Sequence, residues 1–187
     1  MTIRSAIATA LVFLVAVGCE TAKHQVHDEP QQEPSASNND NDVLSIIKAE
    51  ERRNGIPDGL LLSIATVESG CSPYAVNTAR KAVRLSSKDE AVRFVEAKVQ
   101  RGNRNMSIGC MQLHHRTHSK NFASVSDMFD CAKNVAYAAD LLKALHDKYG
   151  SWEKAVRAYH SGKAKYNTIY YRKVMRQYGG DKQQLVN

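Results

Sequence analysis

Residues 57–70 read PDGLLLSIATVESG, and this stretch decides the fold. Leu61, Ile64, Ala65 and Glu68 fall at i, i+3, i+4 and i+7, so a helix through them puts all four on one face. Pro57-Asp58 is a suitable opening, with Asp58 as N-cap, and Ser69-Gly70 a suitable close, since glycine just past the last turn ends helices. The fourth member of the apolar stripe is a carboxylate. Burial among Leu and Ile penalises its charged form and raises its pKa unless a cation pairs with it. A glutamate that keeps its proton near neutral pH can serve as a general acid. The plainer alternative is a frayed last turn in which Glu68 rotates to solvent or pairs with a nearby arginine.

Outward from this helix, the chain divides at residue 43. Residues 1–18 carry Arg4 and the apolar run AIATALVFLVAVG, too short to span a bilayer and of the form of an export signal. Ala16, Val17 and Gly18 directly before Cys19 resemble a bacterial lipobox, although Leu is usual where Ala16 stands. The expectation is therefore acylation of Cys19, with ordinary signal cleavage as the alternative. Residues 19–42 are rich in Gln, Asn, Glu, Asp, Ser and Pro, and read as a disordered tether that cannot bury enough surface to offset its ordering entropy. Residues 43–187 are long enough for one domain with its own core. From residue 43 onward 24 Lys and Arg face 13 Asp and Glu, a net +11, which suits an anionic polymer as partner. The basic residues are scattered, not clustered with aromatics, which argues against nucleic acid.

With Cys19 set aside, Cys71, Cys110 and Cys131 remain. An oxidising compartment permits one disulfide and one leftover thiol, and spacing does not choose the pair. All three stand near the candidate site segments, so a bridge from Cys131 to either of the others would stiffen that region.

Helical periodicity dominates the domain. The spacing predicts helices over 43–54 (Val43, Ile46, Ile47 and Glu50 on one side), 88–100 (Ala91, Val92, Val95, Val99), 132–149 capped by Asp130, 152–159 capped by Ser151, and 167–178. Only residues 107–113 look extended. The expected architecture is mostly α with a small β element.

Four short segments then stand in order: ESG at 68–70, GCMQL at 109–113, AYHSG at 158–162 and YYRKV at 170–174. Together they resemble the lysozyme-like lytic transglycosylases, the SLT domain of family 1, over about residues 43–178. The resemblance implies a lysozyme-like α+β domain acting on peptidoglycan glycan strands, without cofactor or metal. It makes Glu68 the sole catalytic acid/base. Ser69, Gly109, Met111, Gln112, Tyr159, His160 and Tyr170 become the residues around the sugar, Gln112 offering its amide and Tyr170 a hydroxyl to the glutamate. Met111 could instead fill a core gap, and Tyr159 could be a core ring. His160 departs from the family, where Asn is common, and adds a titratable group. Residues 79–106 form an insertion that could wall one end of the cleft or serve as a docking surface.

Ordinary glycosidases use two carboxylates. Here the further acids Asp89, Glu90 and Glu96 lie on the inserted helix, and no motif fixes them beside Glu68. A single acid fits cleavage of the MurNAc–GlcNAc β-1,4 bond in which the substrate's own C6 hydroxyl closes a 1,6-anhydro ring. The alternatives are a lysozyme-type muramidase that uses water, or a weakly catalytic wall-binding accessory of a secretion, conjugation or flagellar apparatus. The export signal and lipobox-like run, with this resemblance, imply a bacterial envelope location, periplasmic and lipid-anchored to the outer membrane. His114, His115 and His118 include an i, i+4 pair that could hold zinc on a helix, but no further ligand stands at a persuasive spacing.

Overall fold

Residues 37–79, 81–160 and 164–179 are described by the structure, a computed structural model, and belong to one compact unit spanning Pro34–Asn187. The expected segments 1–18 and 19–36 lie outside the described residues.

The helix α2 (Leu60–Ser69) is the axis of the core, with Leu60, Leu61, Ile64 and Ala65 all buried. Each such Leu or Ile contributes about 1.5–3 kcal/mol relative to exposure. It packs against α1 (Ser37–Asn54) and against α8 (Ala164–Tyr178). Two further long helices, α6 (Cys131–Tyr149) and α7 (Trp152–His160), close the helical layer, α1 lying on α6, α6 on α7 and α7 on α8. The starts of α6 and α7 are those expected. The Asp130 carboxylate accepts the Lys133 N–H at 3.0 Å, and the Ser151 hydroxyl accepts the Lys154 N–H at 3.3 Å.

The β element is a four-stranded antiparallel sheet of very short strands in the order β2-β1-β3-β4. These are β1 (Ala75–Thr78), β2 (Ala82–Arg84), β3 (Met106–Ile108) and β4 (Leu113–His114). Val76 stands opposite both Val83 and Ile108, and Ile108 opposite Leu113. The inserted helix α3 (Lys88–Gln100), capped by the Ser87 hydroxyl, packs on β1 and on the short α5 (Val125–Met128). A four-residue α4 (His115–His118) and a 3₁₀ turn at Ser119–Asn121 follow β4. Among the described residues no helix is long and apolar enough to cross a membrane.

Three expectations are corrected. The first helix begins at Ser37, inside the stretch read as a tether, because its leading SNNDND contains no apolar residue for a periodicity to register. The extended segment expected at 107–113 is two strands joined by a turn, and β1 and β2 are too short to carry a period. Asp58 does not cap α2. Its N-cap is Gly59, in the left-handed region at φ 83°, with no side-chain cap. The helix start is held from α1 instead: the Glu51 carboxylate accepts the Gly59 N–H at 3.0 Å and the Leu62 N–H at 3.1 Å. Glu51 is the buried acid of α1, and burial raises its pKa against those two bonds. Glu50 stays nearer the surface and pairs with Arg53.

Glu51→Ala should therefore strand two amide donors under a cavity and destabilise the domain by about 2–4 kcal/mol. Urea unfolding followed by circular dichroism measures this; a loss below about 0.5 kcal/mol would show that water replaces the carboxylate at no cost.

Candidate active site

Glu68 stands on the last turn of α2, one residue before the buried Ser69 and two before Gly70, whose left-handed φ of 66° ends the helix. The next residue, Cys71, also has positive φ, 61°, so the chain turns away sharply at once. Glu68 keeps part of its surface open, yet its carboxyl is desolvated by the surrounding side chains. That burial raises its pKa to about 7, while the nearby Tyr170 hydroxyl pulls it down. The Tyr170 contact is loose: the hydroxyl is buried and lies outside the geometry of a full hydrogen bond.

Opposite this helix end lies the turn Gly109–Gln112 between β3 and β4. Its backbone is held at nearly every polar atom. The Gly109 N–H donates to the Ala75 carbonyl at 2.9 Å, and the Ser69 hydroxyl donates to the Cys110 carbonyl at 2.7 Å. Asn134 of α6, itself buried, accepts the Met111 N–H at 3.0 Å and donates to the Ile108 and Met128 carbonyls at 3.2 and 2.8 Å. The Tyr159 hydroxyl donates to the Met111 carbonyl at 2.9 Å. Gly109 has φ 79°, and a β-carbon there would meet the Asn134 amide at 2.5 Å, so the turn closes on Asn134 only with glycine. Gln112 adopts φ 49°, a strained conformation for a side chain of its size.

Two hollows of about 240 and 220 Å³ meet at this place and share Glu68, Asn77 and Gln112 as lining, which makes one groove running past the carboxyl. The first is walled by β1 and β2, including Ala82, Val83 and Arg84. The second is walled by Ser107, His114, His118, Tyr159 and His160. Among the described residues that line either hollow, Glu68 is the sole carboxylate. A roomier hollow of about 540 Å³, lined by Lys48, Glu51 and Asp58 among others, does not include Glu68, and its acid Glu51 is engaged with backbone amides.

The residues singled out in the sequence thus come together, but with divided roles. Tyr170 and Gln112 flank Glu68. Of the Gln112 amide, the nitrogen donates to the Gly109 and Ala75 carbonyls at 2.8 and 3.2 Å, so its carbonyl oxygen is what remains for a ligand. Met111 is fully buried in the core and not in the cleft. Ser69 and Tyr159 both direct their hydroxyls to the turn. His160 lies flat on Tyr170, ring centres 4.3 Å apart at 7°, and burial, then Lys173, lowers its pKa. Gly162 lies outside the described residues.

The three neighbouring histidines turn to different partners. His114 bonds Thr117 and Asn105, His118 bonds Tyr137, and His115 is buried with its Nδ1 unpartnered. Burial lowers the pKa of all three. No cluster able to hold a metal occurs among the described residues.

Asn77, Arg84 and Asn134 were not anticipated. Asn77 and Arg84 sit on strands too short to read, and the insertion contributes a groove wall through β2 while α3 packs behind. The Arg84 guanidinium donates to the Ser69 carbonyl at 2.9 Å, at the rim beside Glu68. Asn134 carried a usable signal, as a polar residue adjoining the Val135-Ala138-Ala139 apolar stripe of α6.

With this geometry in place, residues 45–183 match the transglycosylase SLT domain family. The chain belongs to that family, the lytic transglycosylase branch of the lysozyme-like superfamily, whose substrate is the glycan strand of peptidoglycan. No curated protein and no solved structure matches it.

Glu68 carries a stability cost with a definite sign. Its pKa is about 7 in the folded state against 4.5 for an unperturbed side chain. Between those values the unfolded chain releases its proton first, so folding stability falls as pH rises, and the cost is complete above about 7. Glu68→Gln should stabilise the domain by about 1–3 kcal/mol at pH 8, discounted for the open side of the carboxyl, and by little at pH 4–5. Equal effects at both pH values would mean a solvated carboxylate. Tyr170→Phe should move the Glu68 titration, followed by carboxyl NMR, to higher pH.

Proposed function

We propose that the protein is a peptidoglycan lytic transglycosylase that cleaves the MurNAc–GlcNAc β-1,4 bond, with Glu68 as the sole general acid/base. The observation that carries this reading is a carboxyl with a pKa of about 7 in a groove whose described lining holds no second acid. Such a group is about half protonated at neutral pH, so it can give a proton and take one back within a single turnover.

Glu68 first donates its proton to the glycosidic oxygen, and the C1–O bond breaks with release of the GlcNAc 4-hydroxyl. The resulting carboxylate takes the proton of the MurNAc C6 hydroxyl, whose oxygen bonds to C1 and closes the 1,6-anhydro ring. The acid is regenerated, and no water is consumed. Neighbouring participation by the C2 acetamido group fits the lack of a carboxylate nucleophile. The Tyr170 hydroxyl supports the ionised stage, consistent with its lowering of the Glu68 pKa. His160 fixes the Tyr170 ring by stacking. The Gln112 carbonyl oxygen is the acceptor offered to sugar hydroxyl or acetamido N–H groups. The same reading includes export by residues 1–18, tethering to the outer membrane through acylated Cys19, and service to an envelope-spanning machine.

Digestion of purified sacculi followed by mass spectrometry of the released muropeptides tests the reaction. The expected products end in 1,6-anhydro-MurNAc, and Glu68→Gln should lower their yield by 10²-fold or more, of order the usual general-acid contribution. Reducing ends would instead identify a hydrolase, and binding without release a wall-binding accessory. In the wild type kcat/KM should fall as pH rises through about 7, since the acid must hold its proton. A profile flat to pH 9 would remove Glu68 from the role of acid.

A further inference from the structure

The sulfurs of Cys110 and Cys131 are 3.5 Å apart, although 21 residues separate them in the chain. We propose that these two cysteines form a disulfide that staples the Gly109–Gln112 turn to the start of α6. Cys110 is the second residue of that turn and fully buried; Cys131 is the first residue of α6 and half-buried. A disulfide requires sulfurs about 2 Å apart, a change that side-chain rotation supplies when the elements are already in contact. They are in contact: Asn134, one turn along α6 from Cys131, holds the Met111 N–H, and the Cys110 thiol approaches the Asn134 carbonyl oxygen at 3.5 Å. Cys71 has its sulfur 3.8 Å from the Thr66 hydroxyl and on the lining of the 540 Å³ hollow, and it acts on Cys110 less than the Cys131 thiol does.

The bond would lie behind the acid. The carbonyl of Cys110 accepts the Ser69 hydroxyl, and Ser69 adjoins Glu68. A covalent tie at Cys110 makes the position of the turn, and through Ser69 the end of α2, independent of the exposed surroundings. The chemistry balances with a small disulfide such as oxidised glutathione as oxidant. The half-buried Cys131, as thiolate, attacks one glutathione sulfur and releases one glutathione thiolate. Cys110 then loses its proton and attacks the Cys131 sulfur of the mixed disulfide, releasing the second. Two protein thiols are oxidised and one oxidised glutathione is reduced to two of glutathione.

The test uses the full chain, equilibrated with excess oxidised glutathione, alkylated, digested and mapped by mass spectrometry without reduction. A linked Cys110–Cys131 peptide pair, with Cys71 alkylated or glutathionylated, is the expected result. Alkylation of both Cys110 and Cys131, or a link from Cys71 to either, overturns the proposal. Oxidation should also raise Tm by roughly 5–10 °C, the usual effect of closing a loop of this size in a domain of this length. Cys71→Ser should keep that increment and Cys131→Ser should lose it, while both melt like the reduced wild type in dithiothreitol. Loss of the increment in Cys71→Ser, or its retention in Cys131→Ser, counts against the assignment. These readouts do not depend on glycan cleavage, so they stand or fall apart from the reading of Glu68.

Discussion

The Gly109–Gln112 turn is pressed against the C-terminal end of α2, and the groove exists because that contact is made from both sides. Ser69 reaches across to the Cys110 carbonyl, Tyr159 closes on the Met111 carbonyl, and Asn134 supports the turn from beneath. Each bond satisfies a backbone group that would otherwise be buried unpaired at a cost of about 1–3 kcal/mol. Together they leave the turn one position, and Gln112 is held in a left-handed conformation that a freer loop would relax. Glu68 is carried on the other half of this clamp. Its partial desolvation follows from how closely the turn, β1 and the two tyrosines approach it.

The same arrangement explains why so little charge surrounds the acid. Burial dominates the rise of the Glu68 pKa, and the opposing influence comes from a phenol and not from an ion. A cation paired directly with the Glu68 carboxyl would have kept it ionised, and a second carboxylate would have split the pair into two titrations. The groove instead surrounds one carboxyl with amides, hydroxyls and imidazoles whose own pKa values are lowered. Arg84, a cation on the groove wall, is engaged by the Ser69 carbonyl and is not among the causes of the Glu68 shift.

Several residues that a family pattern associates with substrate act here through the backbone. Ser69 and Tyr159 each present a polar group to the turn, joined there by Asn134, which the pattern does not include, and Met111 packs in the core while its amide and carbonyl serve as anchors. These are positioning residues in geometry, and the groove walls keep the Glu68 carboxyl, the Gln112 carbonyl oxygen, Asn77, the Arg84 rim and the imidazoles of His114, His118 and His160.

The amphipathic helices were legible in the sequence because their period of 3.6 is imposed by burial of one face, and α3, α6 and α7 begin within a residue of where their caps stand. Glu68 was legible for the same reason, as a carboxylate breaking an apolar stripe. What the sequence could not determine depends on contacts between distant segments. The four strands have two to four residues each, too few for a period of two to register. The cap on α2 comes from Glu51 on another helix, eight and eleven residues away from the amides it holds, so local cap rules pointed to Asp58 instead. Which cysteines meet, which atom of Gln112 is left for a ligand, and that Met111 faces inward were likewise decided by tertiary packing. Local chemistry sets which residues can bury or ionise, and only the assembled layers decide which of their polar atoms find one another.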